Sequence, residues 1–260
     1  MFLTLLSKRS VFLIVALSLL SGAGPIKNAM PVAGEILSGS RHYFPDDVGL
    51  EWTYSGSIVD QVQRVAAYTN ITKIIGTVEK KGERVVVFRE SNPANRGVSE
   101  SYFKKDKKGI TYFGGEPTTD FERQFVPYRV IPFPIVLDQS YIQIEKNGLL
   151  YDMDMDGDGI NERADLKATA TAVGFETVTT PAGQFRNALK LQGTMTLEIT
   201  LSRNQKKAEI LDITTHWFAP DVGMVQGIEK IEFPAMGGRA PSGTIITETL
   251  QKFSTNDPTL

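Results

Sequence analysis

Residues 152–165, DMDMDGDGINERAD, place six acidic side chains in fourteen positions of a chain that has 30 in all. Calcium prefers roughly six to eight oxygen ligands, and a loop of about twelve residues supplies them from positions 1, 3, 5, 7, 9 and 12. A loop that begins at Asp152 would put Arg163 at position 12, where a carboxylate is required. A loop that begins at Asp154 has glycine at position 6 and an oxygen at every ligand position: Asp154, Asp156, Asp158, the Ile160 carbonyl, Glu162 and Asp165.

Mutual repulsion is the physical argument for an ion in this segment. Two carboxylates about 4 Å apart repel by roughly 1 kcal/mol in water and by several times that near a protein surface. A divalent cation would turn this repulsion into attraction, so the sequence predicts a structural calcium ion as cofactor. The alternative is a solvated acidic turn between two strands, in which Gly157 and Gly159 serve only the backbone.

The same segment resembles a known calcium-binding motif. Residues 154–165 follow the spacing DxDGDGxxxxxD, which is similar to the loops of bacterial thrombospondin type-three repeats and dockerins. The resemblance implies calcium ligation by these side chains. It covers about 14 residues and occurs once in the chain.

The amino terminus predicts export. Lys8 and Arg9 precede an apolar run, VFLIVALSLLSGAG, that ends in small residues, which is the order of a secretory signal. The run is shorter than the roughly 20 residues of an ordinary membrane span, although an uncleaved anchor is the alternative. We predict a signal peptide at 1–29 with cleavage near 23–29, a linker at 30–40, one β-rich domain at 41–254 and a tail at 255–260.

Composition narrows the possible functions further. The sequence has no cysteine, which excludes disulfides, thiolate metal sites and cysteine nucleophiles. The net charge of −2 is unlike that of nucleic-acid-binding domains, so we expect no nucleic-acid partner. After the signal, no apolar stretch is long enough to cross a membrane as a helix. The destination is then the periplasm, the cell surface or the medium.

The region after residue 40 alternates apolar and polar residues with a period of two. ATATA at 168–172 and TMTLEIT at 194–200 are typical of half-buried strands. Turn sequences at 79–83, 105–109 and 202–207 separate such segments and predict antiparallel hairpins. We therefore predict an all-β fold, a curved antiparallel meander that forms a half-barrel or sandwich-like sheet, with little helix. The proline-rich segment 125–139 is compatible with a linker, a proline-stiffened edge or a loop that covers the sheet, and we expect a loop within this domain.

Sequence motifs for catalysis are absent. The chain lacks G-x-S-x-G, H-E-x-x-H, the P-loop and G-x-G-x-x-G. Its two histidines, His42 and His216, are interpreted as packing or surface residues. We predict a protein that is not an enzyme, with no catalytic residues and no organic cofactor.

Three longer segments resemble a group of bacterial exported all-β proteins of uncharacterised function. HYFPDDVGLEWTYSG (42–56), ETVTTPAGQFRNALKL (176–191) and THWFAPDVGMVQGIEK (215–230) match the group's YFP..G..W.Y, V..PAG.F and W.AP.VG.V signatures. The resemblance implies a sheet similar to the curved half-barrels of lipoprotein carriers, which hold acyl chains on an apolar concave face. From the residues alone we expect Trp52 and Tyr54 in the core and tight turns at 181–183 and 220–223.

Three functions remain open at this point. The first is a non-enzymatic exported protein that binds an apolar ligand or lipid in its curved sheet, and this predicts a groove lined by aliphatic and aromatic side chains. The second is a calcium-stabilised assembly module with an envelope protein as partner, which predicts a filled interior and an exposed apolar patch or unpaired edge strand. A hydrolase is the third, and it would need two carboxylates facing each other across a cleft.

Overall fold

The computed structural model describes residues 34–92, 97–235 and 240–255. The predicted signal at 1–29 and most of the predicted tail lie outside these residues. These described residues form one 3-10 helix at Ser40–Tyr43, one short α-helix, α1, at Asp120–Arg123, and fourteen strands. The strands are β1 (Ile36–Leu37), β2 (Glu51–Asp60), β3 (Val65–Lys80), β4 (Glu83–Asn92), β5 (Gly97–Asp106), β6 (Gly109–Glu116), β7 (Tyr128–Pro132), β8 (Ile135–Val136), β9 (Ser140–Leu150), β10 (Arg163–Thr180), β11 (Gly183–Thr200), β12 (Lys207–Ala219), β13 (Gly223–Phe233) and β14 (Ser242–Ser254).

Two meanders join to make one large sheet. Strands β2 to β7 pair in sequence order, as do β9 to β14, and the antiparallel pairing of β2 with β14 connects the two sets. The result is a twelve-stranded antiparallel sheet that curves until it is nearly closed and barrel-like. The predicted all-β, curved antiparallel fold is therefore confirmed. Within the part of the chain that the structure describes, the helices are too short and too polar to cross a bilayer.

Side chains bridge the two free edges of this sheet, β7 and β9. The Tyr141 hydroxyl and the Gln143 amide nitrogen on β9 both donate hydrogen bonds to the Val130 carbonyl of β7, at 3.0 and 2.7 Å. These two contacts hold the edges together without a backbone ladder. They also satisfy a carbonyl that an open sheet edge would leave unpaired.

Alternation of side chains places the core on the concave face. In β10, Leu166, Ala168, Ala170 and Ala172 are all buried, as the period-two pattern predicts. The hairpins predicted at 79–83, 105–109 and 202–207 are the β3–β4, β5–β6 and β11–β12 connections. The local signals of this sequence and its strand pairing therefore agree.

The proline-rich segment differs from its predicted loop conformation. Residues Tyr128–Pro132 form the edge strand β7, and Ile135–Val136 form β8, which pairs with β1 inside the predicted linker at 30–40. Proline is tolerated at an edge because one side of the strand needs no backbone donors. Apolar residues of β7 and β8, including Val130 and Ile135, are buried.

The sequence signatures pack against one another at one side of the sheet. The Trp52 indole donates to the Val222 carbonyl at 2.6 Å, and the Tyr54 hydroxyl donates to the Met224 carbonyl at 3.0 Å. Both rings are buried, as predicted. Turns occur at the predicted positions between β10 and β11 and between β12 and β13, and Asp221 adopts a φ of 59° in the second. The structure thus gives these residues roles in the fold.

Candidate functional site

The concave face of the sheet encloses a cavity of about 1060 Å³. Most of its lining is apolar and comes from strands on opposite sides of the interior, including Trp52, Phe88, Phe103, Met195, Leu197 and Phe218. The lining also includes the exposed residues Gln61, Val62 and Arg64 of the β2–β3 turn, so the cavity reaches the surface at that end. A ligand could therefore enter from that end.

Four carboxyl groups interrupt this apolar lining on strands that are far apart in sequence. Glu90 lies on β4, Asp212 on β12, Glu229 on β13 and Glu248 on β14, and all four line the cavity. Asp212 and Glu229 are joined by a hydrogen bond between their carboxyl groups. Together these four residues form what we call the interior acidic cluster.

Two glycines make room for the Tyr68 and His216 rings beside the cluster. One row of paired positions runs across the neighbouring strands β12, β13, β14, β2 and β3. Its residues are, in that order, His216, Gly227, Glu248, Gly56 and Tyr68. A Cβ atom on Gly56 would lie 2.1 Å from Cζ of Tyr68, and one on Gly227 would lie 2.6 Å from Cδ2 of His216. The tyrosine and histidine rings thus lie over the neighbouring glycines, and the tyrosine reaches the central glutamate.

Glu248 accepts hydrogen bonds from its neighbours, but other buried atoms in this region have no hydrogen-bond partner. The Tyr68 hydroxyl and the Asn70 amide nitrogen each donate to Oε1 of Glu248 at 3.0 Å. Oδ1 of Asn70 and Nδ1 of His216 are buried and have no hydrogen-bond partner. Asn70 is only 2% exposed, and His216 is 9% exposed. Unpaired atoms this deep are rare in folded proteins and call for an explanation.

Burial shifts the protonation equilibria of the cluster toward neutral forms. Desolvation and then the nearby Glu248 charge raise the pKa of Glu90 to about 8, and desolvation raises the pKa of Asp212 to about 8. Desolvation also raises the pKa values of Glu229 and Glu248, and it lowers the pKa of His216 to about 4. Several of these carboxyl groups are therefore protonated at neutral pH.

Glu122 is another buried glutamate on the cavity wall, and both of its carboxyl oxygens accept hydrogen bonds. Oε1 of Glu122, on α1, accepts a hydrogen bond from the Tyr112 hydroxyl at 2.6 Å, and Oε2 accepts one from the Thr118 hydroxyl at 2.8 Å. The same residue donates its backbone N–H to the Thr119 side chain, which caps the helix. Both of its carboxyl oxygens have protein donors, which distinguishes Glu122 from the cluster.

The acidic segment predicted to bind calcium is the loop between β9 and β10. One oxygen each from Asp154, Asp156 and Glu162 lies within 4.8 Å of the others, so these three could share a cation. Glu162 is fully buried and accepts N–H bonds from Met155 and Ser202. Oδ1 of Asp156 is buried with no hydrogen-bond partner. This geometry could hold one ion.

Other predicted ligands are engaged elsewhere. Asp158 accepts hydrogen bonds from the Ile160 N–H and the Ser202 hydroxyl, at 2.9 and 2.7 Å. Asp165 lies within β10, where its Oδ1 accepts the Gly148 N–H at 2.7 Å. The structure thus brings together three of the six predicted ligands, and the calcium site stays a prediction.

The interior acidic cluster was not predicted from the sequence, although the sequence contains a signal for it. In β12 the inward-facing positions are Ala208, Ile210, Asp212, Thr214, His216 and Phe218. Three of these six positions therefore hold polar residues where the alternation would lead one to expect apolar residues. Glu229 and Glu248 interrupt apolar alternation in the same way within β13 and β14. Which of these positions meet in space depends on strand order.

No family model and no curated protein matches this sequence. Among solved structures, the chain is similar to a protein provisionally named a lipoprotein from Parabacteroides distasonis ATCC 8503, with 13% identity and a TM-score of 0.38. It is also similar to a protein from Bacteroides fragilis NCTC 9343, provisionally named an exported protein with a YmcC-like fold, with 14% identity and a TM-score of 0.37. Each alignment covers 82% of this chain and 98% of the other. Because these TM-scores are low, we interpret the cavity from this chain alone.

Proposed function

We propose that the protein is an exported, non-enzymatic binding protein that holds an apolar ligand or lipid inside its curved sheet. The observation that carries this proposal is the cavity of about 1060 Å³ with a largely apolar lining. Small-molecule sites in proteins are concave, mostly apolar and about 300–1,000 Å³ in volume, with a few polar groups. Export is inferred from the signal-like residues 1–29 of the sequence.

The cavity also supports this function over the assembly module, which would have a filled interior. The hydrolase alternative would need two carboxyl groups about 5–9.5 Å apart. Asp212 and Glu229 are instead hydrogen-bonded neighbours, and this contact leaves no room for a substrate between them. A binding role fits these features better.

Binding of a neutral apolar fluorophore tests the proposal. N-phenyl-1-naphthylamine should show a saturable rise in fluorescence with the mature protein. Met195→Trp should weaken this binding by about tenfold or more, because it fills the apolar part of the cavity. Ile142→Trp is the matched control, since Ile142 is 56% exposed on β9. Binding that is absent, or equal in all three proteins, would overturn the proposal.

We also propose that a calcium ion stabilises the β9–β10 loop, with Asp154, Asp156 and Glu162 as ligands. The buried, unpaired Oδ1 of Asp156 supports this proposal, because a cation would satisfy it. At 100 times its Kd, calcium would stabilise the fold by about 2.7 kcal/mol.

The calcium proposal is tested by thermal melts in EDTA and in calcium chloride. The melting temperature of the wild type should rise with calcium, and Asp156→Asn should abolish most of that rise. Asp165→Asn should keep it, because Asp165 lies outside the three-residue group. An equal calcium response in the wild type and Asp156→Asn would show that this loop does not hold the ion.

A further inference from the structure

The interior acidic cluster indicates the chemistry of the ligand more closely than the apolar lining does. This inference rests on the proposed binding function. The titratable groups that line the cavity include Tyr54, Tyr68, Tyr112 and His216, together with the carboxyl groups of Glu90, Asp212, Glu229 and Glu248. A cation would balance these four carboxyl groups.

No cationic side chain of the described residues forms an ion pair with the cluster. Among residues 34–92, 97–235 and 240–255, none of the ion pairs includes Glu90, Asp212, Glu229 or Glu248. Two basic residues line the same cavity, and both are already paired.

Each of these two bases has an acidic partner of its own. Arg64 binds Asp60 at 2.6 Å in the β2–β3 turn. Lys105 forms an ion pair with Asp46 and donates to the Phe44 carbonyl at 2.8 Å. The excess of acidic groups on the inner wall is therefore not neutralised by the basic side chains that line it.

An unpaired atom beside the cluster provides an independent observation. Oδ1 of Asn70 is an acceptor, belongs to a residue that is only 2% exposed, and has no donor. Nδ1 of His216 is also unpaired. An anionic ligand would bring further acceptors and negative charge, whereas an ammonium or guanidinium group brings several N–H donors and positive charge.

Apolar surface surrounds the acidic groups on the same strands. Ile246 of β14 lies directly beside Glu229, and Ile58 of β2 lies beside Ile246; all three line the cavity. Phe88 lies two residues before Glu90 on the same face of β4, and its ring stacks with Trp52 at 6.3 Å between centroids. A ligand that fills this space would have an apolar body next to its polar group.

We propose that the ligand is a cationic amphiphile, whose protonated amine or guanidinium group binds among Glu90, Asp212, Glu229 and Glu248 while its apolar body lies against the aromatic and aliphatic wall. The amine donates a hydrogen bond to the unpaired Oδ1 of Asn70 and further bonds to the carboxyl oxygens of the cluster. The raised pKa values of the carboxyl groups are consistent with this arrangement, since a bound cation lowers them. Binding at neutral pH should therefore release about one proton or more to the solvent.

Three probes with the same dodecyl chain test the proposal: dodecylammonium, dodecanol and dodecanoate. Titration calorimetry of the mature protein at pH 7 should give dodecylammonium a Kd about tenfold or more below that of dodecanol, with dodecanoate the weakest. Repeating the titration in buffers of different ionisation enthalpy measures the proton release. Release that accompanies dodecylammonium but not dodecanol is the expected result.

Variants locate the cation. Glu229→Gln combined with Glu248→Gln should remove the preference for dodecylammonium and retain dodecanol binding. Glu209→Gln, on the exposed face of β12, is the control and should keep the preference. Equal affinity for dodecylammonium and dodecanol in the wild type, or a preference that survives the double substitution, would overturn this proposal and leave the binding function intact. Failure of all three probes to bind would instead count against the binding function itself.

Discussion

The β9–β10 loop and the interior acidic cluster gather carboxyl groups in opposite ways. In the loop, Asp154 accepts N–H bonds from Gly157, Asp158 and Gly159, so a short segment of chain supplies its own donors. These backbone bonds lower the pKa of Asp154. Its charge is thereby stabilised without a partner from another strand.

The cluster has no such local donors. Its four carboxyl groups stand on separate strands whose N–H groups are used in the sheet, so only side chains can reach them. Burial then raises their pKa values. Carboxyl groups that are adjacent in sequence are satisfied by a turn, whereas those assembled by a sheet depend on a ligand or a proton.

The largest loss of stability should follow substitution of Glu162, the buried glutamate of the β9–β10 loop. Glu162→Ala removes the acceptor of the Met155 and Ser202 N–H groups, so we expect a loss of about 2–4 kcal/mol in unfolding free energy. Urea denaturation in EDTA measures this without any contribution from calcium. Asp158→Ala, at a half-buried position, should lose about 1 kcal/mol. Similar losses for the two variants would contradict this account of the loop.

A smaller loss of stability is expected at Gly56, because the Tyr68 ring lies over this glycine. Gly56→Ala would push a Cβ into the Tyr68 ring and should cost about 1–3 kcal/mol, as overpacking usually does. Gly243→Ala is the control in the adjacent strand, because its nearest neighbour would be 3.4 Å away. Thermal melts should separate the two variants. A Gly56→Ala protein as stable as the control would show that the row can rearrange.

The last prediction is a pH dependence of stability that distinguishes the two regions. Glu90 and Asp212 ionise near pH 8 in the folded state but near their ordinary values of 4.5 and 3.8 when unfolded. The folded state therefore holds more protons between these values, and stability falls as pH rises. His216 acts oppositely, but only between about 4 and its unfolded value of 6.5. From pH 6.5 to 8 we expect a fall of at most about 1.4 kcal/mol per pH unit for each proton.

Chemical denaturation across pH 6.5–8 measures this slope. Asp212→Asn should flatten it, because the substituted side chain no longer titrates. Asp158→Asn in the loop should leave it unchanged, since that residue lies outside the cluster. A wild-type stability that is constant or rises over this range would show that the interior carboxyl groups are already ionised.

Local patterns were sufficient for most of the fold. Alternation in β10 predicted which of its residues are buried, and the hairpin turns were predicted from their polar, glycine-containing sequences. A proline-stiffened edge was one alternative for the segment that forms β7, but a loop was favoured, because nothing local shows that a strand lies at an edge. Three predicted calcium ligands, Asp154, Asp156 and Glu162, were placed near one another because a short loop brings them together.

The sequence by itself determined the strand class, the hairpins and the composition of the acidic loop, since each depends on residues within about twenty positions of one another. Only the tertiary structure decided that β2 pairs with β14, that the sheet nearly closes, and that Glu90 shares a cavity with Asp212, Glu229 and Glu248. The alternation of residues along a strand shows which face of the sheet a side chain lies on. It does not show which residues of the other strands lie beside that side chain. Those neighbours follow from strand order, which joins residues almost 160 positions apart.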